Sequence, residues 1–279
     1  MKDLAILGCY AHPDDEQGIT GTLKLCLDQG IRAGIVCATR GEVGQISDPA
    51  LATPETLGMV RERELREAAA VIGISDVFFL DYRDSGMAGS PPNADPTNFI
   101  NADPYEAIGR LVKVIRAFKP TILVTFDPTG GYGHPDHLAI YKWTTEAFHA
   151  AGDPAQYPDA GAPFAPSRLF YASIGRSLIK MFVGFLAENN LPSPFGGADM
   201  SQMGIPDEDI THIVEVRRYV GLKRESLSKH RTQMAENSAL AALPEELWNE
   251  FRAYERFQFV AGTPFPPNAD PADLFAGLR

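Results

Sequence analysis

Cysteine, positive charge and long apolar runs are all in short supply in this sequence, and each shortage closes off a class of protein. Only three cysteines occur, Cys9, Cys26 and Cys37. The number is odd and no two stand at C-x-x-C spacing, so neither a disulfide framework nor a thiolate metal site is expected. The three read as small buried hydrophobes. Basic residues are outnumbered, 25 Lys and Arg against 36 Asp and Glu, for a net charge of −11. That balance argues against partners that need a basic surface, nucleic acid and anionic membranes. No apolar run approaches the roughly twenty residues that span a bilayer. The first residues, Met1-Lys2-Asp3-Leu4, carry no signal-peptide pattern, and a soluble cytoplasmic protein is expected. Solenoid repeats and low-complexity tracts are missing too.

What is present fits one α/β domain. The 279 residues are 44% hydrophobic, enough for a real core. Short apolar runs at 4–9, 33–38, 77–80, 121–126 and 168–173 read as strands. Helical patterns lie between them at 19–29, 62–72, 104–118 and 138–150. Such alternation predicts a Rossmann-like, mostly parallel sheet with helices on both faces. In the common strand order 3-2-1-4-5, ligands bind at the carboxyl ends of strands one and four, where the order reverses. Residues 1–174 form this core in the expected division. Residues 175–279, with weaker signals for helices at 177–187, 218–230 and 245–252 and for strands at 211–216 and 254–260, are expected to supply a C-terminal α+β lid subdomain. Long Gly- and Pro-rich loops at 41–58, 84–103 and 189–209 are expected to wall a pocket.

Two dense clusters stand where that crevice is expected. Ala11-His12-Pro13-Asp14-Asp15-Glu16 follows the first strand, and Gly133-His134-Pro135-Asp136-His137 follows the fourth. A proline after each first histidine favours extended backbone at the strand end. One His and one carboxylate from the first cluster plus one His from the second make a catalytic zinc set with a position left for water. Spare carboxylates and a spare imidazole remain for proton transfer. An isolated acidic run of this kind would read as a helix N-terminus. Two His-Pro-Asp triplets after apolar strands point instead to a shared metal.

Taken together, the two clusters resemble the LmbE-like, or PIG-L, family of zinc-dependent N-deacetylases. Three further stretches resemble the family's mycothiol-pathway branch, which holds the N-acetylglucosaminyl inositol deacetylase and the mycothiol S-conjugate amidase. They are Tyr82-Arg83-Asp84-Ser85-Gly86-Met87, Asp127-Pro128-Thr129-Gly130-Gly131-Tyr132 and Pro206-Asp207-Glu208-Asp209-Ile210-Thr211. The resemblance implies that His12, Asp15 and His137 bind zinc, Fe2+ or another divalent metal being the alternative. It implies that Asp14 is the general base and that His134, oriented by Asp136, is the general acid or an oxyanion-stabilising group. Tyr132 would stabilise the tetrahedral intermediate, and Arg61 and Asp84 would contact a sugar. The implied partner is a small amino sugar or a thiol conjugate. Glu16 reads as a first-turn residue supporting its neighbours, His230 as structural or at the pocket rim, and His149 and His212 as ordinary. Two other classes use similar parts, an Fe(II) oxygenase and a sugar-binding module on a retired site. The spare base and acid favour hydrolysis.

Overall fold

The computed structural model describes residues 3–191, 203–234 and 244–279. Most of the wall expected at 189–209 therefore lies outside the described residues. The fold is one seven-stranded sheet. Its strands are β1 (Ala5–Tyr10), β2 (Arg32–Cys37), β3 (Asp76–Phe79), β4 (Ile122–Phe126), β5 (Arg168–Ala172), β6 (His212–Glu215) and β7 (Tyr254–Gly262). They lie in the order β3-β2-β1-β4-β5-β7-β6. The first five are parallel, as expected. β7 runs antiparallel between β5 and β6, so the last two strands extend this sheet and form none of their own.

Helices cover both faces: α1 (Thr20–Asp28), α2 (Leu57–Ile72), α3 (Pro104–Phe118), the single turn α4 (Gly130–Gly133), α5 (Pro135–Ala150), α6 (Arg176–Glu188), α7 (Val220–Leu227) and α8 (Glu245–Arg252). Every residue of β1 is buried, and its side chains alternate between two cores. Ala5, Leu7 and Cys9 join α3 and α5 on one face, while Ile6 and Tyr10 join α1 on the other. All three cysteines are free and buried. Among the described residues no helix is long and apolar enough to cross a membrane.

Two helix starts differ from the sequence expectation. α2 begins five residues earlier than residue 62, because Leu57 and Val60 bury themselves against Ala52 and Ile46 in a small cluster of their own. α5 begins three residues earlier than residue 138. Pro135 occupies its first position, where a missing N–H costs nothing, and the His134 ring accepts the backbone N–H of Asp136 as an N-cap. The second cluster is therefore a helix cap as well as a candidate site. At the other end of the chain, the buried Glu255 of β7 accepts the N–H groups of Gly21 (2.9 Å) and Thr22 (2.6 Å) in the first turn of α1 and also holds Lys223. This bond network locks the C-terminal strands to the helix that follows the first cluster.

Candidate metal centre

β1 and β4 are neighbours at the point where strand order reverses, with Ile6 opposite Ile122 and Gly8 opposite Val124. Their following loops therefore meet. In the first loop the Asp15 carboxylate folds back on its own backbone, its Oδ2 accepting the N–H of His12 (2.7 Å) and of Ala11 (3.2 Å). In the second, Phe126 stacks on the His137 ring at 4.1 Å. His12 Nδ1 then lies 3.2 Å from His137 Nε2. Asp15 Oδ1 lies 3.2 Å from His137 Nε2 and its Oδ2 lies 3.5 Å from His12 Nδ1.

The outward partners of the two rings decide what these short distances mean. His137 Nδ1 donates to the carbonyl of Gly130 at 2.9 Å, and His12 Nε2 donates to Asp136 Oδ2 at 3.1 Å. Each ring thus carries its proton on the outer nitrogen and turns a lone pair inward. Two lone pairs and a carboxylate converging at hydrogen-bond distance repel one another unless a cation lies among them. Donors on a tetrahedral zinc with bonds of about 2.0–2.1 Å stand roughly 3.3 Å apart, which matches the separations here. Burial disfavours a charge on His12, but Asp136, Asp15 and Asp84 outweigh it and raise its pKa well above the ordinary histidine value. The gap therefore takes either a proton or a metal ion, and metal binding releases the proton.

Other groupings of donors also lie close. His12, His134 and His137 offer ligand atoms within 4.8 Å of one another, as do His12, Asp84 and Asp136. Their hydrogen bonds make them poorer sets. The Nδ1 lone pair of His134 is taken by the Asp136 N–H (3.2 Å), and the Nε2 of His12 that faces the two aspartates carries the proton.

Asp136 departs from the expectation that it orients His134. Its carboxylate is fully buried and accepts from His12 Nε2 and from the N–H of Ser85 at 3.0 Å. Only its backbone N–H meets His134. The reason is the helical cap: residue 136 sits one position inside α5, so its N–H points at the cap while its side chain points at the first loop.

The remaining expected residues gather around this centre. Burial and the neighbouring Asp15 carboxylate push the pKa of Asp14 up, to about 7. Burial, then the His12 and His137 rings, lower that of His134 to about 4, leaving a neutral imidazole at pH 7 with its proton on Nε2. Tyr132, in α4, has its ring 5.0 Å from that of His137, and burial with the Asp15 charge raises its pKa. Asp84 is buried; Oδ1 accepts the Gly86 N–H (2.8 Å) and lies 3.5 Å from His12 Nε2, while Oδ2 accepts from Val43 N–H (3.3 Å). Arg61 does not lie on a solvated helix face. It is buried, and its guanidinium donates to the carbonyls of Gly41 and Gln45, both at 2.9 Å. The 41–45 loop wraps it so closely that a Cβ on Gly41 or Gly44 would fall 2.4 Å from Nη1.

Several participants carry no sequence signal. Ser85 N–H and the Gly130 carbonyl act through backbone atoms that any residue would supply. Glu42 accepts the N–H of Asp84 at 3.0 Å, and nothing in its spacing marks it. His230 is completely buried with Nε2 2.8 Å from Glu16 Oε1, so of the two expectations for it the structural one fits its position. His212 is buried in β6, away from these residues.

The family model for PIG-L, GlcNAc-PI de-N-acetylase, matches residues 7–148. A relative from Frankia alni, named 1D-myo-inositol 2-acetamido-2-deoxy-alpha-D-glucopyranoside deacetylase 1, is 37% identical over 286 residues, covering 96% of this chain and 99% of its own. Among solved structures, the N,N'-diacetylchitobiose deacetylase of Pyrococcus horikoshii aligns with a TM-score of 0.61 at 20% identity, over 93% of this chain and 84% of that one. The 4-carboxy-2-hydroxymuconate hydratase GalB of Pseudomonas putida aligns at 0.57 and 16%, over 95% of this chain and 100% of that one. At such identities the structural matches speak for the fold alone, and a hydratase among them shows that this fold serves more than one reaction.

Proposed function

The chain belongs to the PIG-L family, and from that premise we propose that it is a zinc-dependent hydrolase that removes the acetyl group from an N-acetylglucosamine-containing small molecule. The relatives' named activity supplies the substrate class. The observation that carries the chemistry is the convergence of two imidazole lone pairs and a carboxylate, which only a cation or a proton relieves. In this reading His12 Nδ1, His137 Nε2 and Asp15 hold the metal, and two nitrogens with one carboxylate suit catalytic zinc. Iron(II) accepts the same donors, and metal analysis of protein purified without chelator decides between them. Bound there, the ion supplies Lewis acidity to water and to the amide carbonyl.

The protein's own groups do the rest. Asp14 takes a proton from the attacking water as the new C–O bond forms. The neutral His134 donates its Nε2–H, and Tyr132 its O–H, to the charge that develops on the amide. When the C–N bond breaks, the departing nitrogen takes the proton that Asp14 accepted. Acetate and a free amine result. Asp136 fixes the His12 ring with its lone pair inward, as carboxylates behind metal-bound histidines do. Asp84 accepts from sugar hydroxyls, and Arg61 acts on the sugar through the 41–45 loop that it holds.

The test is amine release by metal-reconstituted protein from a panel of N-acetylglucosaminides and mycothiol-type thioether amides. Release from a glycoside with free acetate as co-product is expected. Release from the thioether amides alone would move the assignment to an amidase, and no amine from any member would overturn it.

A further inference from the structure

The peptide unit joining Pro13 to Asp14 is gripped at both of its polar ends. Its N–H, on Asp14, donates to Glu16 Oε2 at 3.0 Å. Its carbonyl, on Pro13, accepts from Gln233 Nε2 at 2.8 Å, across 220 residues of sequence. The grip matters because of the backbone that follows. Asp14 has φ 105° and ψ −22°, a region that residues with a Cβ rarely enter and that recurs at functional sites. Rotating the peptide plane is the direct way for a chain to relax such a φ. Here a flipped plane would set the Pro13 carbonyl against a carboxylate and the Asp14 N–H against an amide donor, so both partners oppose it.

Glu16 is itself held in place. Its Oε1 lies 2.8 Å from His230 Nε2 and accepts from Gln17 Nε2 at 2.7 Å. Glu16 and His230 are both buried, at 2% and 0% exposure, so neither is available to substrate. The segment that carries His230 and Gln233 is anchored separately, through Thr232 on Glu64 (Oγ1 to Oε2, 2.6 Å) and the Ser47 N–H on the Thr232 carbonyl (2.9 Å). Asp15 pins the preceding residues, Ala11 and His12, by bonds that involve none of these groups. The metal ligands and the residue assigned as base are thus fixed by two separate devices within one loop.

We propose that Glu16 and Gln233 are positioning residues which clamp the Pro13–Asp14 peptide, with His230 seating Glu16, and so set the direction of the Asp14 carboxylate. This inference rests on the assignment of Asp14 as the base. It is tested on zinc-loaded full-length protein with an N-acetylglucosaminide, by kcat, KM and bound zinc. Gln233→Ala is expected to lower kcat by about ten- to a hundredfold, the scale of a misplaced catalytic group, with zinc content kept and KM within about twofold. In an Asp14→Ala background the same change is expected to alter the residual rate by less than about twofold, because a residue acting through Asp14 has nothing left to position. Glu16→Gln, which keeps an acceptor for the Asp14 N–H, is expected to lose several-fold less than Glu16→Ala. Equal losses from Gln233→Ala in both backgrounds, or zinc lost in step with rate, would overturn the clamp. So would an unchanged kcat in Gln233→Ala, a variant that leaves Glu16 and the core intact. Full turnover by Asp14→Ala alone would instead sink the assignment of Asp14 as the base, and the clamp with it, while leaving the hydrolysis itself standing.

Discussion

The two ends of the sheet bury charge in opposite ways. At the amino end, Arg168 opens β5 and Arg116 lies in the last turn of α3, and both are almost wholly buried. Neither has a carboxylate partner among the described residues. Arg168 donates to the carbonyls of Thr263, Pro264, Leu274 and Ala276 at 2.7–3.2 Å and lies 3.6 Å over the Phe265 ring. Arg116 donates to the carbonyls of Ala151, Asp153, Gln156, Tyr157 and Gly161. Every nitrogen of both guanidiniums is used. At the carboxyl end, acceptors crowd together, and Asp136 Oδ1 and Arg61 Nε are buried without a protein partner among the described residues. The difference separates charge that closes loops from charge at the proposed catalytic centre. The first is saturated by the fold itself; the second leaves buried polar atoms that a bound cation and substrate would complete.

The largest losses of activity are expected at the carboxyl end. Asp14→Ala is expected to keep bound zinc and lose about 10³-fold in kcat, within the usual range for a general base. Asp15→Ala is expected to lose the zinc. Metal analysis beside turnover reads both, and the opposite pairing would show base and ligand exchanged. At the amino end the expected loss is of stability. Arg168→Leu strands four carbonyls and one aromatic face, which we expect to cost about 3 kcal/mol or more in urea unfolding. The folded variant should bind metal normally. A stability within error of the parent would show that the carbonyl cage is incidental.

Between these lies Asp136, whose carboxylate faces His12. Asp136→Asn is expected to weaken zinc affinity by about ten- to a hundredfold, as changes behind a metal-bound histidine do. Competition against a chelator of known affinity measures it. If affinity holds and only turnover falls, the Asp136 carboxylate acts on the reaction and not through the ring of His12, because the substitution leaves its backbone bond to His134 Nδ1 in place.

How much of this was legible from sequence follows from the range of the interactions. The five parallel strands and their order were legible, because each is a short apolar run and both His-Pro-Asp clusters fall where that order reverses. The proximity of His12, Asp15 and His137 was legible for the same reason. Side-chain direction was not. The turn of Asp136 towards His12 depends on the cap geometry at His134 and on the Ser85 N–H, neither of which has a residue-type signature. The pairing of β7 with β5 joins segments more than eighty residues apart, beyond any local pattern. Gln233 lies three residues after His230 and carries no signal of its own, and no spacing rule anticipates its contact with Pro13. Arg61 was expected at a sugar, and its burial beneath the 41–45 loop was not legible, because the bonds that hold it go to backbone carbonyls.

The smallest effect concerns His212, which touches Phe265, the ring that Arg168 also covers. Its own ring lies 4.4 Å from that of Phe265 and its Nδ1 lies 2.7 Å from Thr211 Oγ1. Burial, then the charge of Arg168, lowers its pKa to about 4. A histidine depressed on folding takes up its proton more readily in the unfolded chain. Its contribution is therefore complete above the unfolded pKa near 6.5 and is lost as pH falls towards 4. Between pH 7.5 and 5.5 the loss should be about 1 kcal/mol, from the same linkage. The quantity to measure is the difference in pH slope between the parent and His212→Asn, both zinc-loaded, so that contributions common to the two cancel. Equal slopes would show that His212 is protonated as easily folded as unfolded, and that the Arg168 charge is screened by its carbonyls before it reaches the neighbouring ring.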